Sequence, residues 1–319
     1  MRFLLLTGLF AGAALTATAQ QYPARPVRVY IPFTAGSAAD IIMRALEPQM
    51  REKLGQSFII DNRGGAGGNI AAELTAKSPA DGYTVMMGTI GTHAINLSLY
   101  SKLPYHPQRD FASIALVGES PNILVINPYV PAKSIRELIA LGKAKPGALN
   151  YGSSGAGTSV HLSAELFSTM AGIKMVHVPY KGATEALTAL LSGQLDLMFA
   201  SLSSAIPLVK AGRLRAFAVT GAQRSASIPE MPTMSEAALP GYAATAWYGL
   251  LGPAGMPPAT VTALSSAALG ALQTQEVKDR LFASGVDVRP LPPDEFARLI
   301  DSEIKKWAQV VKASGARAD

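Results

Sequence analysis

Cysteine is absent from this chain of 319 residues, and histidine is scarce. The absence of cysteine excludes disulfide bonds and thiolate metal ligands. The histidines, His93, His106, His161 and His177, show no i, i+4 spacing and no acidic cluster beside them. The sequence therefore predicts neither a metal site nor a bound cofactor.

The chain also lacks any dense run of charge of one sign. Lysine and arginine number 28 against 22 acidic residues, and the basic residues are scattered, with no aromatic residues interleaved among them. A nucleic-acid surface would require a basic patch with interleaved aromatic side chains. Nucleic acid is therefore excluded as a partner, and the small excess of positive charge predicts a general attraction for anionic ligands.

Long apolar runs are missing except at the N-terminus. Arg2 precedes an apolar segment at residues 3–15, and the small triplet Ala17-Thr18-Ala19 follows it. This segment is too short to span a bilayer comfortably, and no later segment offers about 20 uninterrupted apolar residues. The pattern predicts a signal peptide at residues 1–19 that is removed before Gln20, so that the protein is exported. A retained N-terminal anchor is the weaker alternative.

After this segment, short β-branched runs alternate with longer segments of helical period. This alternation predicts an α/β fold of stacked βαβ units with a parallel sheet. About 300 residues are more than one core usually organises, so two domains are expected. The segments 123–127 and 247–252, each followed by proline, are the predicted hinge crossings. They divide the chain into a first domain at 22–121 plus 244–319 and a second domain at 122–243.

Loops rich in Gly, Ser and Thr follow several predicted strands. In an open parallel sheet, ligands bind beyond the carboxyl ends of the strands. Residues 32–40 and 151–162 lead into helices, where free backbone N–H groups and the helix dipole favour a carboxylate, and residues 88–93 add hydroxyls. We interpret Asp40 as a structural carboxylate at its helix start, and the glycine-dense segment 63–69 mainly as a tight turn.

The loop at residues 151–162 matches no catalytic or nucleotide-binding motif. No lysine follows its last glycine, as a phosphate loop needs, and residues 152–156 miss Gly-x-Ser-x-Gly by one position. The strand at 175–179 offers no acidic residue for a dinucleotide. An exported ester hydrolase would have to use Ser154 and His161, which have the wrong spacing. Reversible binding is favoured, and hydrolysis remains the alternative from another class.

Sequence motifs along the chain carry a resemblance to a known family. They are Pro32-Phe33 with Ala35-Gly36 and Asp40, Asn62-Arg63 with 65–69, Asp81-Gly82-Tyr83, Gly91-Thr92-His93, 152–155 with His161-Leu162, and 178–182. In these motifs the chain resembles the substrate-binding proteins of tripartite tricarboxylate transporters, also called the Bug family. The resemblance implies two Rossmann-like domains, of the type II-like periplasmic-binding-protein kind, joined by a hinge around a ligand cleft.

The resemblance, together with the loop at 88–93, also implies which residues contact the ligand. The candidates are Phe33, Ala35, Gly36, Ser37, Thr89, Thr92 and His93 from the first domain, and Ser153, Gly155, Thr158, Ser159, His161, Lys181 and Gly182 from the second. Many family members have glycine where this chain has Ser37, and a side chain there narrows the range of backbone angles.

The function implied is that of a periplasmic, monomeric solute-binding protein without enzymatic activity. Its ligand would be a small carboxylate, such as a dicarboxylate or tricarboxylate, an amino acid or an aromatic acid. The implied partners are the paired membrane subunits of a tripartite tricarboxylate-type transporter. A ligand-loaded partner of a sensor kinase would use the same cleft, and the sequence does not separate these two roles.

Overall fold

The computed structural model describes residues 22–318, so the predicted signal peptide and its cleavage point lie outside the described residues. The strands are β1 (Val27–Ile31), β2 (Phe58–Asn62), β3 (Thr84–Thr89), β4 (Phe111–Ile126), β5 (Leu149–Ser153), β6 (Met175–Pro179), β7 (Leu197–Ser201), β8 (Arg215–Val219), β9 (Thr245–Pro253) and β10 (Asp287–Leu291). The helices are α1 (Ala38–Leu54), α2 (Asn69–Ala76), α3 (Asn96–Leu99), α4 (Ile135–Ala144), α5 (Ser159–Ala171), α6 (Ala183–Leu191), α7 (Leu202–Lys210), α8 (Met234–Ala237), α9 (Pro258–Ala271), α10 (Gln275–Ala283) and α11 (Pro293–Ser314). A 3-10 turn at Ala66–Gly68 and a π-helical turn at Gly91–Ile95 complete them. In residues 22–318, no helix combines the length and apolar character that crossing a membrane requires.

The predicted α/β fold is confirmed, but its sheet is mixed rather than parallel. The strands follow the order β2-β1-β3-β9-β4-β7-β5-β6, and β8 and β10 also pair with β4. Parallel pairing is found in the β2-β1-β3 and β7-β5-β6 groups, as the alternation of strands and helices predicts. The strands β4 and β9 between these groups run antiparallel to their neighbours.

The long strand β4 joins the two halves of the sheet. Its residues up to Pro121 pair with β9, and its residues from Asn122 onward pair with β7. The β-branched runs of the sequence predict two separate strands here, near 114–117 and 123–127. Pairing with β9 carries one strand through both positions, with register shifts near Gly118. We call the part built on β1, β2, β3, β9, β10 and residues 111–121 lobe 1, and the part built on β5 to β8 and residues 122–126 lobe 2.

Helix α11 covers the central strands of lobe 1. Its Phe296 is fully buried and meets the Trp247 ring of β9 edge-on at a centroid distance of 5.4 Å. The neighbouring Gly249 leaves room for this ring, since a Cβ atom there would overlap Phe296. Because side chains alternate along a strand, Trp247 and Gly249 face α11 whereas Ala246 and Tyr248 face the other side of the sheet. That other side is the floor of a cavity.

Candidate functional site

A cavity of about 790 Å³ lies between the lobes. From lobe 1 it is lined by residues 33–39, 64–68 and 89–91 with Tyr100, Ala246 and Tyr248, and from lobe 2 by residues 154–156, 158–160, 180–184, 201 and 203–204 with Asn122. The loops expected to bind a ligand therefore face one another across a shared space. Ser201 is the last residue of β7 and directly precedes α7, so α7, like α1, α5 and α6, begins at the cavity.

The loop before α1 uses some of its own polar groups to hold its shape. Gly36 has a φ of +80° and donates its backbone N–H to Asp40 Oδ2 at 2.9 Å. The Ser37 hydroxyl caps α1 by accepting the N–H of Asp40 at 3.4 Å, and its φ of −69° suits any side chain. The structural role predicted for Asp40 is thus confirmed, and Ser37 in place of glycine introduces no backbone strain. Burial raises the pKa of Asp40, but hydrogen bonds from Arg44 and Gly36 outweigh it and lower the pKa.

The first N–H groups of α1 remain available for a ligand. Within the described residues, no group accepts the backbone N–H of Ala38 or Ala39, because Ser37 Oγ is bonded one residue further on. Both residues line the cavity. Unpaired N–H groups at a helix N-terminus carry partial positive charge and bind anions. Lobe 1 therefore presents to the cavity two N–H donors without acceptors in the described residues, at the positive end of a helix.

Lobe 2 presents the same arrangement at the start of α5. The Thr158 hydroxyl caps this helix by accepting the N–H of His161 at 3.4 Å, and it donates to the Gly155 carbonyl at 2.7 Å. The N–H groups of Ser159 and Val160 have no acceptor in residues 22–318, and both residues line the cavity. Two helix N-termini from opposite lobes thus converge on the same space.

Behind this loop, aromatic rings hold the lobe 2 site in place. His161 and His177 stack at a centroid distance of 4.0 Å, and Tyr151 stacks on His177 at 4.8 Å. His161 Nδ1 accepts the N–H of Gly157 at 3.3 Å, and His177 Nε2 shares a 2.7 Å hydrogen bond with the fully buried Ser153 hydroxyl. Burial lowers the pKa of His161 to about 3 and that of His177 to about 4, so both rings are neutral near pH 7.

Four of the candidate residues lie behind the cavity lining and not in it. Ser153 and His161 are buried beneath the lobe 2 loop, as described above. Thr92 and His93 are fully buried in lobe 1, where Thr92 Oγ1 accepts the N–H of Thr89 at 3.0 Å and contacts His93 Nδ1 at 2.9 Å. Thr89 itself lines the cavity. The remaining candidates also line it: Phe33, Ala35, Gly36, Ser37, Gly155, Thr158, Ser159, Lys181 and Gly182.

Several lining residues were not predicted from the sequence. Gly64 to Gly68 form part of the wall, so the interpretation of this segment mainly as a packing turn was incomplete. Ser201, Ser203 and Ser204 follow a predicted strand, and the rule that ligands bind at carboxyl ends of strands could have found them. Asn122 and Tyr248 lie on the central strands, and no local motif marks them.

Charge around the cavity is sparse. Among the lining residues of the described chain, Lys181 carries the only charged side chain, and it is exposed. No group of three or more His, Asp or Glu side chains able to hold a metal ion occurs in residues 22–318. His177 is hydrogen-bonded to a serine, but that serine, Ser153, is fully buried behind the cavity lining. Glu165 is occupied in accepting the Tyr151 hydroxyl. The arrangement suits binding of an anion by neutral donors.

This chain is similar to proteins of one family. The pattern of the tripartite tricarboxylate transporter family receptors matches residues 42–316. Protein BugT of Bordetella pertussis (strain Tohama I) is 35% identical over 320 residues, which cover 99% of this chain and 98% of BugT.

Solved structures show the same likeness. An R. palustris protein with adipate superposes with a TM-score of 0.87 at 37% identity, covering 92% of this chain and 98% of that one. MatC from Rhodopseudomonas palustris with bound malate superposes with a TM-score of 0.84 at 34% identity, covering 91% and 100%. Fold and cavity define a two-lobed solute-binding protein of the periplasmic binding class. The chain belongs to the tripartite tricarboxylate transporter receptor family, the Bug family that its motifs predicted.

Proposed function

We propose that this protein captures a small carboxylate between its lobes and delivers it to the membrane subunits of a tripartite tricarboxylate transporter. The observation that carries the proposal is the pair of free N–H groups at each of two helix N-termini, Ala38 and Ala39 in lobe 1 and Ser159 and Val160 in lobe 2. One carboxylate held by both pairs would bridge the lobes. Adipate and malate in two similar structures support a carboxylate ligand.

The lobes would close by bending where the chain crosses between them. The pairing of β4 changes between Pro121 and Asn122, and nearby Thr220 donates its N–H to Asn122 O at 2.8 Å. Ala244 donates to Thr220 O at 2.8 Å just before β9 begins. These crossings support domains at 22–121 plus 244–319 and at 122–243. Ligand contacts made only in the closed form would shift the population toward it.

The proposal includes no chemical step. Ser154, the serine that a hydrolase would need, has no hydrogen bond to a histidine within the described residues. Neutral donors and exposed Lys181 suit reversible capture of an anion. The protein would work as a monomer in the periplasm after removal of residues 1–19, and a sensor kinase is the alternative recipient of the loaded form.

The deciding experiment is calorimetric titration of the chain lacking residues 1–19 with monocarboxylates, dicarboxylates, tricarboxylates, amino acids and aromatic acids. We expect saturable binding of one class and a raised Tm, because a ligand at 100 times its Kd adds about 2.7 kcal/mol of stability. Absence of binding across all classes would contradict the proposal. Co-purification of the loaded protein with a kinase, and not with transporter subunits, would favour the alternative recipient.

A further inference from the structure

The cavity floor contains a hydroxyl that has no hydrogen-bond partner in the described residues 22–318. Tyr248 lies on β9, where it pairs with Thr89 of β3 and Gly118 of β4. Its side chain lines the cavity and is only 9% exposed. No donor or acceptor for its hydroxyl is found in the part of the chain from residue 22 to residue 318. The hydroxyl opens to the cavity, because it is not one of the fully buried polar atoms that lack a partner. A polar group that faces a cavity and has no partner in the fold is available to a ligand.

The other buried tyrosines of this protein show what a structural hydroxyl does. The Tyr105 hydroxyl lies 2.8 Å from two acceptors, Asn69 Oδ1 and Thr92 O, which share its single proton, and Tyr242 donates to Ser163 O at 2.8 Å. Tyr151 donates to Glu165. Each of these hydroxyls has an acceptor in the fold. Tyr248 is also buried, though slightly more exposed than these three, and its hydroxyl is left for whatever fills the cavity.

Asn122 adds a second polar group to the same floor. It is 2% exposed, and it pairs with Ser201 across β4 and β7. Its Nδ2 donates to Ser163 Oγ at 3.1 Å, and its backbone N–H donates to Thr220 Oγ1 at 2.8 Å. No donor to its Oδ1 occurs among residues 22–318. The floor between the lobes is therefore polar but uncharged.

The chemistry of its partner depends on the protonation of the hydroxyl, which can donate one hydrogen bond and also accept, and on the charges around it. Burial raises the pKa of Tyr248 to about 12, so the hydroxyl keeps its proton at neutral pH. Among the described residues that line the cavity there is no acidic side chain to pair with a ligand ammonium group. An oxygen acceptor, as in a second carboxylate, a keto group or a hydroxyl, fits these conditions, whereas an alkyl end would leave the Tyr248 hydroxyl without a partner.

We propose that Tyr248 is a specificity-determining residue whose hydroxyl donates a hydrogen bond to an oxygen of the ligand remote from the carboxylate held by α1 and α5. The protein then selects carboxylates that carry a second oxygen group over alkyl carboxylates of the same length. This inference rests on the proposed function, because the first carboxylate must occupy the helix N-termini for the far end to reach the floor.

The test compares Tyr248→Phe with the unchanged protein on matched ligand pairs: succinate with butyrate, glutarate with pentanoate, and adipate with hexanoate. We expect the unchanged protein to prefer the dicarboxylate of at least one pair. The substitution should lower that preference about tenfold, because it weakens binding of the dicarboxylate and leaves binding of the alkyl carboxylate unchanged. One hydrogen bond to a charged acceptor is lost. Tyr30→Phe, which removes a half-buried hydroxyl on β1 outside the cavity, is the control and should change neither affinity.

A second readout separates recognition from a structural role. Without ligand, Tyr248→Phe should unfold at nearly the same Tm, because it removes a hydroxyl that opens to the cavity and has no hydrogen-bond partner in residues 22–318. A lowered Tm with equal losses for both members of a pair would overturn the inference and make Tyr248 structural. An unchanged preference in a variant that still binds would also overturn it. If the unchanged protein binds no carboxylate at all, both the proposed function and this inference fail.

Discussion

Asp40 Oδ2 lies 2.9 Å from the backbone nitrogen of Gly36 and accepts its N–H. The same oxygen accepts from Arg44 Nε at 3.0 Å, so one carboxylate joins the loop to the first turn of α1. This contact bends the loop over the helix start and leaves the N–H groups of Ala38 and Ala39 facing the cavity. The carboxylate thus positions the anion site without touching the ligand.

We predict that Asp40→Asn weakens carboxylate binding by about 1–3 kcal/mol, because charge-assisted hydrogen bonds to Gly36 and Arg44 are lost. Calorimetry with the ligand found for the unchanged protein measures the effect. Asp81→Asn is the matched control, since Asp81 also accepts a loop N–H, that of Tyr83 at 3.0 Å, and pairs with an arginine, but lies outside the cavity. Equal affinities for the two variants would show that the Asp40 contact does not shape the site.

A second prediction concerns acid stability. Burial lowers the pKa of both His93 and His161 to about 3, below the value of about 6.5 for an unfolded chain. Each ring stays neutral in the folded protein but takes up a proton in the unfolded chain. The stability that this difference contributes is fully present above about pH 6.5 and is lost progressively as the pH decreases toward 3. The free energy of unfolding should fall by up to about 1.4 kcal/mol per pH unit for each histidine.

Urea unfolding at several pH values between about 5 and 8 measures this slope. His93→Gln should make the slope shallower by the contribution of one proton taken up on unfolding, because glutamine does not titrate. Its amide can still contact Thr92. The substitution leaves the cavity lining unchanged, so binding at neutral pH is the internal control. A slope identical to that of the unchanged protein would mean that His93 does not contribute.

How much of this site the sequence could predict depends on the kind of residue. The loops at Gly36 and Gly155 follow predictable strands, so the carboxyl-end rule located them. The rule does not say which side chains of a loop face the cavity. Ser153 and His161 do not, because their polar atoms are used in hydrogen bonds that support the loop. Tyr248 was missed because β9 comes from the far end of the chain and runs antiparallel between β3 and β4.

A third prediction addresses closure of the lobes. Gly91 of lobe 1 lies against the backbone of lobe 2, and a Cβ atom there would lie 2.9 Å from Gly157 O. Gly91→Ala should therefore hold the lobes apart and cost about 1–3 kcal/mol of binding free energy. Small-angle scattering with saturating ligand should show a larger radius of gyration than for the unchanged protein. Gly270→Ala, at a position with open space for a Cβ atom, is the control and should bind normally.

The last prediction uses the single charged side chain of the described lining. Lys181 is exposed at the cavity, so water and salt screen its charge. A rim charge of this kind accelerates the encounter with an anion more than it strengthens the final complex. Lys181→Met should lower the association rate severalfold at low salt, change the dissociation rate little, and reduce the salt dependence of the association rate. Stopped-flow measurements at two ionic strengths test this, with Lys210→Met, outside the cavity, as the control. A faster dissociation with an unchanged association rate would instead indicate that Lys181 holds the bound ligand directly.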